Sequence, residues 1–413
     1  MDKTWLLALT VNVLIFLKVP REVAGFGVDF NIGNGGPGVG VWIGGGVTAP
    51  AVPSGSTYST SNSAYNALQA WKSAITSDPH NVLSTWVGSD VCSYKGVFCG
   101  TRGGNGFQQI SDSTVVGIDL NRADLEGTLV SDLSVLGDLS LIHLNGNRFK
   151  GTVPESFSLL GSLRELDLSD NRLSGPFPIA TLSMPSLIYL DLRFNGFAGP
   201  IPEALFSKKL DAIFLNDNNF DGNVPQTLAY SPASVINLAN NKLTGSLPVV
   251  FGLMNAKVKE VLLLNNQLTG CIPEQIGLFS DMQVFDVSYN SLMGHLPNAI
   301  SCLNQLEVLN LEHNMLSGEL PDVICSLRSL LNFTVSFNFF SKFSQQCEKL
   351  LFRNVGFDVS DNCIPGRDMQ RPSPECSGIP GGSLSCLRIP SVQPLVCGSL
   401  FAGLNEKQSS LSP

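Results

Sequence analysis

The sequence predicts an α/β solenoid, in which one short unit repeats along the chain and each copy adds a strand to a curved parallel β-sheet on the concave side. The first observation is a pattern, Leu-x-Leu-x-x-Asn-x-Leu-x-Gly, that is clearest at residues 166–175. The second is its regularity, since consecutive asparagines of the pattern are 23 to 25 residues apart. These asparagines are Asn147, Asn171, Asn195, Asn218, Asn241, Asn266, Asn290, Asn314, Asn338 and Asn362, and Ala123 takes the position one period earlier.

A fixed period of 20 to 29 residues is the signature of a leucine-rich repeat, a unit that must stack on its neighbours to bury its apolar side. We therefore predict a right-handed superhelix of about eleven repeats over residues 113–362. Before Asn241, the apolar residues Ile236 and Leu238 alternate with outward positions, as in a short strand with one buried side. The asparagine follows the strand, and its amide is predicted to bond backbone groups left unpaired at the bend. We therefore assign the asparagines to the scaffold.

The first 25 residues have the features of a secretory signal peptide. The apolar run Trp5–Leu17 carries no charge and is too short to span a bilayer comfortably. Residues 26–61 are rich in glycine, proline and serine, and they are expected to form a flexible leader because they cannot bury enough apolar surface to fold. No later run of 18 apolar residues follows, which predicts no transmembrane segment. We expect a secreted, extracellular protein.

The chain is acidic, with a formal charge of −9. Removal of residues 1–25 would take away three basic and two acidic residues, which moves the charge to −10. Negative charge disfavours nucleic acid as a partner and permits a basic one.

Residues 62–112 are predicted to form an amino-terminal cap. Tyr65, Leu68 and Ile75 recur at helical spacing within residues 63–76, and Asp78 precedes a proline that ends the helix. A solenoid exposes its first apolar layer unless a cap covers it, which gives this helix its role.

The ten cysteines all follow the signal segment, and none forms a Cys-x-x-Cys pair, so disulfides are expected and neither a metal nor a cofactor is. Cys92 with Cys99 is the firmest pair. Cys325 and Cys347 occupy similar places in adjacent repeats and can meet across one layer, while Cys271 with Cys302 is a weaker proposal. The carboxy-terminal cap and tail, residues 363–413, contain Cys363, Cys376, Cys386 and Cys397, whose pairing order stays open.

The solvent-facing side of the predicted sheet carries the residues six, four, two and one positions before each asparagine. Carboxylates recur there and add their fields, which favours a cationic ligand, while aromatic side chains supply anchoring area. The alternative is a solvated face that only keeps the sheet soluble. Arg122, Arg193, Phe194, His313 and Phe337 fall on this face outside the candidate set. The candidate ligand-binding residues are Asp119, His143, Glu165, Asp167, Asp170, Tyr189, Asp191, Phe214, Asp217, Asp286, Tyr289 and Glu312.

Several motifs resemble those of a known family. Residues 67–72, 83–86 and 92–99 (ALQAWK, LSTW and CSYKGVFC) are similar to the amino-terminal cap of plant extracellular leucine-rich-repeat proteins, and residues 243–248 (LTGSLP) to the plant-specific repeat. The later motifs FDVSYNSL, NFTVSFNFF and DNCIPGR, at 285–292, 332–340 and 361–367, resemble the leucine-rich repeat extensins, which are secreted plant wall proteins. The resemblance covers residues 62–376.

The resemblance implies a partner as well as a fold. The resemblance to the repeat domain of the extensins, which we call the repeat head, implies a ligand. This ligand is a basic, cysteine-containing signalling peptide of the rapid alkalinization factor type, bound in the cell wall or apoplast during growth or wall-integrity signalling. After Cys397 only sixteen residues remain and no Ser-Pro-Pro-Pro repeat follows. The expectation is therefore a repeat head without the extensin tail.

Two other functions fit a secreted repeat protein. One is an inhibitor of polygalacturonases acting in defence, and the other is a structural wall component that binds pectin or other wall partners, although an acidic face disfavours anionic pectin unless calcium bridges the two. Catalysis is not expected, because carboxylates such as Asp167 and Asp191 would lie on an open face without subsite walls. The only N-glycosylation sequon is Asn332-Phe333-Thr334, where a glycan would obstruct the carboxy-terminal end of the groove. Whether the chain forms a homodimer through its amino-terminal cap stays open.

Overall fold

The protein's computed structural model describes residues 60–101, 113–248 and 258–378. The predicted signal segment, nearly all of the leader, Cys386 and Cys397 lie outside these residues. The strands are β1 (Ile75–Ser77), β2 (Val97–Thr101), β3 (Ser113–Asp119), β4 (Glu126–Thr128), β5 (Leu141–His143), β6 (Arg148–Gly151), β7 (Glu165–Asp167), β8 (Arg172–Gly175), β9 (Tyr189–Asp191), β10 (Gly196–Pro200), β11 (Ala212–Phe214), β12 (Asn219–Asp221), β13 (Val235–Asn237), β14 (Glu260–Leu262), β15 (Thr269–Gly270), β16 (Val284–Asp286), β17 (Ser291–Gly294), β18 (Val308–Asn310), β19 (Met315–Glu319), β20 (Asn332–Thr334), β21 (Phe339–Lys342) and β22 (Gly356–Asp358). The α-helices are α1 (Thr60–Ala74), α2 (Asp322–Cys325), α3 (Gln345–Phe352) and α4 (Ser373–Ser377).

The predicted parallel concave sheet is confirmed. It has twelve strands in the order β2-β3-β5-β7-β9-β11-β13-β14-β16-β18-β20-β22, which follows the chain. From β3 onward neighbouring strands pair in parallel, so that Ile142 opposes Leu166 and Leu166 opposes Leu190. Within this sheet only β2, from the cap, pairs antiparallel. Each repeat therefore places equivalent residues in one column across the sheet.

The apolar side of each strand faces a single continuous core. Leu166 and Leu168, five and three residues before Asn171, are fully buried, and the same holds for Ile236 and Leu238 before Asn241. Fully burying one leucine or isoleucine side chain stabilises a fold by about 1.5–3 kcal/mol, so the stack of repeats supplies most of the driving force.

The asparagines form the predicted ladder. The Nδ2 of Asn171 donates to the carbonyl oxygens of Leu144, Leu168 and Ser169 at 2.8, 3.1 and 3.0 Å, and its Oδ1 accepts from the backbone N–H of Phe149 at 2.9 Å. Each asparagine thus satisfies backbone groups in its own repeat and in the one before it, where no strand partner is available.

A second set of strands, which the sequence did not reveal, follows most of the asparagines. One such sheet has the order β1-β4-β6-β8-β10-β12, and another has the order β15-β17-β19-β21. The glycine found four residues after most of the asparagines lies at or next to the end of the strand and has a positive φ, for example +92° at Gly175, a conformation that glycine adopts without a Cβ penalty.

The side opposite the concave sheet consists mainly of 3₁₀-helices rather than α-helices. Most span five residues after a proline, as at Glu155–Leu159 and Glu274–Leu278. A short repeat that already contains two strands leaves too few residues for longer helices. Within the described repeats the α component of the predicted class is confined to α2 and α3, and α1 and α4 lie at the two ends.

The amino-terminal cap differs from its prediction at one end. The helix stops at Ala74, not Thr76, because Ile75–Ser77 instead forms β1 and pairs with β4 of the first repeat. Trp71 lies 5.8 Å from the ring of Phe149 and 5.9 Å from that of Trp86, so the cap packs directly on the repeats.

Disulfides close both ends of the described chain. The predicted pairs Cys92–Cys99 and Cys325–Cys347 are present, and Cys363 bonds Cys376. Cys271 and Cys302 are both disulfide-bonded, while their pairing with each other stays a prediction. Among the described residues no helix has the length and apolarity needed to cross a membrane.

Candidate ligand-binding surface

The outward residues of the concave strands form columns of different character. We call the residues four positions before each asparagine the strand column, and the residues immediately before each asparagine the edge column. The strand column runs Asp119, His143, Asp167, Asp191, Phe214, Asn237, Leu262, Asp286, Asn310, Thr334 and Asp358. The edge column runs Arg122, Gly146, Asp170, Phe194, Asp217, Asn240, Asn265, Tyr289, His313, Phe337 and Asp361.

Aspartate and asparagine in the strand column have a structural role that the sequence analysis missed. In seven repeats a side-chain Oδ1 accepts the backbone N–H of the residue two positions later, at 2.9–3.2 Å. Short acidic and amide side chains are well suited to such local bonds. The recurrence of aspartate there is therefore not, by itself, a sign of ligand binding.

Two predicted ligand contacts in this column are buried, which corrects their placement on the exposed face. Asp191 has no exposed area, because Arg193 Nε lies 3.0 Å from its Oδ2 and the Tyr189 hydroxyl donates to the same oxygen at 3.2 Å. Asp286 is 6% exposed, because Ser288 and Asn310 donate to its two oxygens. Burial raises the pKa of both carboxyl groups, that of Asp191 to about 7 against the attraction of Arg193.

The first strands of the repeat array bring four predicted residues together. We call Asp119, His143, Glu165 and Asp167 the acidic cluster. Asp119 opposes His143, which in turn opposes Asp167, and His143 Nε2 lies 3.1 Å from Glu165 Oε2. Burial would lower the pKa of His143, but the hydrogen bond to Glu165 and the charges of Glu165, Asp167 and Asp119 outweigh it and raise that pKa. The cluster thus concentrates negative potential at one end of the sheet.

An aromatic and cationic group lies beside the acidic cluster. The rings of Tyr189 and Phe214 are 5.9 Å apart, and the Arg193 guanidinium lies 5.1 Å from the Phe214 ring centre. Burial raises the pKa of Tyr189, so this phenol stays neutral. Arg193 is held by the buried Asp191, with its Nε 3.0 Å from Asp191 Oδ2.

Every residue of the edge column has a left-handed backbone. Its φ values lie between +50° and +69°. Asparagine, aspartate and glycine adopt this conformation most readily, and a recurring Asn, Asp or Gly before the ladder asparagine was the signal that could have predicted it. In the middle of the column, Asn240 donates to Asp217 at 2.8 Å and Asn265 donates to Asn240 at 2.9 Å.

The edge column changes from polar to aromatic toward the carboxy-terminal repeats. The ring centres of Tyr289 and His313 are 4.3 Å apart, and those of His313 and Phe337 are 4.0 Å apart, with planes inclined by 21° and 9°. We call these three residues the aromatic ladder. Only Tyr289 belonged to the predicted site. His313 and Phe337 were not included, because their stacking depends on neighbours that are one repeat period away in the sequence.

The remaining candidates are spread along the sheet. Asp170 is exposed in the edge column, and Asp217 accepts from Asn216 as well as from Asn240. Glu312 precedes His313, and burial raises the pKa of its carboxyl group. Asn332 lies on the concave sheet as the register predicted, with its Oδ1 accepting from the Thr334 hydroxyl at 3.0 Å.

Comparison with known proteins places these features in a family context. Residues 61–100 match the family described as "Leucine rich repeat N-terminal domain", and residues 137–197 and 305–327 match "Leucine rich repeat" families. The chain is similar to leucine-rich repeat extensin-like protein 7 of Arabidopsis thaliana, with 63% identity over 230 residues, 55% of this chain and 52% of the relative. It is also similar to leucine-rich repeat extensin-like protein 2 of the same plant, with 51% identity over 323 residues, 78% of this chain and 41% of the relative. The chain thus spans about half or less of the length of these relatives.

Solved structures show the same architecture. The ectodomain of the Arabidopsis receptor kinase HAESA, in complex with an amino-terminally extended IDA peptide hormone, aligns with a TM-score of 0.61 and 27% identity. The alignment covers 73% of this chain and 50% of that chain.

Proposed function

Since the chain belongs to the leucine-rich-repeat proteins and its repeats resemble those of the extensin-like group, we propose that it is an extracellular recognition protein that binds basic secreted peptides on its concave sheet. The proposed ligand class is the cysteine-containing peptide of rapid alkalinization factor type, and the proposed site of action is the cell wall or apoplast. A peptide-hormone complex of a similar ectodomain supports a peptide as the ligand.

The acidic cluster is the observation from which we infer that the ligand is positively charged. Asp119, Glu165 and Asp167 lie on neighbouring strands, and His143 is the one basic side chain among them. A concave face with one sign of charge raises the local concentration of an oppositely charged ligand and speeds its association. A lysine-rich or arginine-rich peptide segment is therefore the favoured occupant.

The same geometry supports a binding role rather than a catalytic one. Asp167 and Asp191 are opposed on adjacent strands, but Asp191 is fully buried beneath Tyr189 and Arg193. The two carboxyl groups therefore do not face one substrate, as glycoside hydrolysis requires. We propose that the chain acts by recognition alone.

Neutralising the acidic cluster is expected to weaken binding of a basic peptide about tenfold at low salt, since each solvent-accessible charge pair contributes up to about 1 kcal/mol. The variant combines Asp119→Asn, Glu165→Gln and Asp167→Asn. The structure supports the two aspartate changes, because the Asn237 and Asn310 side chains already make the strand-column bond, and glutamine at position 165 keeps a side-chain oxygen for His143 Nε2. Binding of synthetic basic secreted peptides is measured by calorimetry at two salt concentrations.

The matched control removes the same amount of charge elsewhere. Asp132→Asn, Glu155→Gln and Asp281→Asn alter exposed carboxylates outside the concave sheet. We expect wild-type affinity and wild-type salt dependence from this control. Equal losses in both variants, or no binding of basic peptides by the wild-type chain, would contradict the proposed function. Binding of pectin fragments or of a polygalacturonase in place of peptides would favour the wall-component or inhibitor alternative.

A further inference from the structure

The aromatic ladder presents apolar surface to solvent in three consecutive repeats of the edge column, whose other exposed aromatic residue is the single Phe194. Tyr289 is 46% exposed and Phe337 is 37% exposed, and His313 is stacked between them. The ladder lies at the carboxy-terminal end of the concave sheet, away from the acidic cluster.

The fold itself does not require aromatic side chains there. Tyr289, His313 and Phe337 have φ values of +52°, +50° and +54°, a left-handed conformation that is unfavourable for bulky residues. The same column uses Asn240 and Asn265 with φ of +53° and +52°, and these residues join in hydrogen bonds instead. Strained backbone occupied by exposed, unfavoured residue types is a feature of binding sites.

The stacking decides which chemical groups fit. With centres 4.0–4.3 Å apart, the inner ring faces are covered, so a sugar ring cannot lie flat on them. The exposed area of Tyr289 and Phe337 therefore lies away from these covered faces, and the edges of aromatic rings carry partial positive charge that favours the face of another aromatic ring. An aromatic side chain laid across the ladder is therefore the best match.

The charges beside the ladder favour a basic neighbour for that aromatic group. Glu312 precedes His313 in the chain, and Asp358 and Asp361 lie in the adjoining repeat. Arg371 is close by, but its guanidinium is paired with Glu375 at 3.1 Å and lies over the Phe339 ring. The balance of charge around the ladder is negative.

We propose that the aromatic ladder is an anchor site for an aromatic side chain flanked by lysine or arginine in a peptide ligand. This inference rests on the proposed function and adds a second contact point to it. Six strand steps separate β7 of the acidic cluster from β18 beside the ladder, or roughly 29 Å at about 4.8 Å per step. An extended segment of about nine residues spans that distance.

The test is a selection of random twelve-residue displayed peptides on three proteins. These are the wild-type chain, the variant with Tyr289→Asn, His313→Asn and Phe337→Asn, and the control Phe194→Asn. Phe194 is 50% exposed in the same column with a φ of +53°, but it lies outside the ladder. Asparagine suits this backbone, so thermal unfolding of the triple variant is expected to stay within a few degrees of wild type.

We expect basic peptides with an aromatic residue to be enriched on the wild-type chain and on Phe194→Asn. The triple variant should enrich basic peptides without that aromatic preference. Replacing the aromatic residue of the best peptide by alanine should weaken its binding about tenfold to the wild-type chain and leave binding to the triple variant unchanged.

The possible failures are distinguishable. Enrichment of basic peptides without aromatic residues on the wild-type chain would contradict the anchor site and leave the proposed function intact. An unchanged aromatic preference on the triple variant would overturn the anchor site as well. Enrichment of acidic peptides, or of none, would overturn both proposals.

Discussion

Asn266→Ala is expected to lower the free energy of unfolding by about 3 kcal/mol or more, whereas Asn265→Ala, one residue earlier, should cost about 1 kcal/mol. The two residues have the same chemistry and are adjacent in the chain. Their different positions relative to the core decide the outcome.

Asn266 belongs to the ladder of buried asparagines, and its side chain forms hydrogen bonds with four backbone groups. Asn266 is 9% exposed, and its Nδ2 donates to the carbonyl oxygens of Leu238, Leu263 and Leu264 at 3.0–3.2 Å. Its Oδ1 accepts from the N–H of Leu243 at 3.0 Å. Alanine leaves these groups unpaired inside the protein, and each such group costs about 1–3 kcal/mol.

Asn265 is exposed and makes one side-chain bond, to Asn240 at 2.9 Å. Its replacement loses a solvated bond and places alanine at a positive φ. Urea unfolding followed by circular dichroism measures both variants, with disulfides intact. Similar urea midpoints for the two variants would mean that water satisfies the backbone groups around Asn266 and that the asparagine ladder is not a main source of stability.

The sequence predicts the scaffold well because the repeat encodes it locally. Alternation of apolar residues such as Ile236 and Leu238 sets which side of each strand is buried, and a fixed period stacks those sides. The role of the asparagine follows from its place at the strand's end. None of these conclusions needs the identity of a side chain in another repeat.

The candidate site is predicted less well because it depends on neighbours across the sheet. Alternation places Asp191 on the outward side, but Tyr189 and Arg193 fold over it and remove it from solvent. His313 reads as an isolated polar residue until Tyr289 and Phe337 are found on either side of it. Burial and stacking of this kind are set by the sizes of side chains about 24 residues away.

The buried Asp191 gives wild-type stability a pH dependence that Asp191→Asn should remove. Burial raises the pKa of Asp191 from 3.8 to about 7 in the folded chain, with Asp167 adding to the rise and Arg193 opposing it. Its folded pKa thus exceeds the unfolded one. The stabilising contribution of the protonated carboxyl group is complete below about pH 4 and is lost as the pH rises toward 7.

Relative to wild type, Asp191→Asn is therefore expected to be nearly neutral at pH 4 and stabilising at pH 8, by up to about 4 kcal/mol at 1.36 kcal/mol per pKa unit. Asparagine keeps an oxygen for the backbone N–H of Arg193, which bonds Asp191 Oδ1 at 3.1 Å. Its amide nitrogen takes the place of Oδ2, where it can donate to the Tyr189 hydroxyl but loses the contact with Arg193 Nε. Urea unfolding at both pH values gives the difference, and Asp281→Asn, which removes an exposed carboxylate, is the control. A variant that is less stable than wild type at pH 8 would show instead that the ion pair with Arg193 outweighs the burial of the charge.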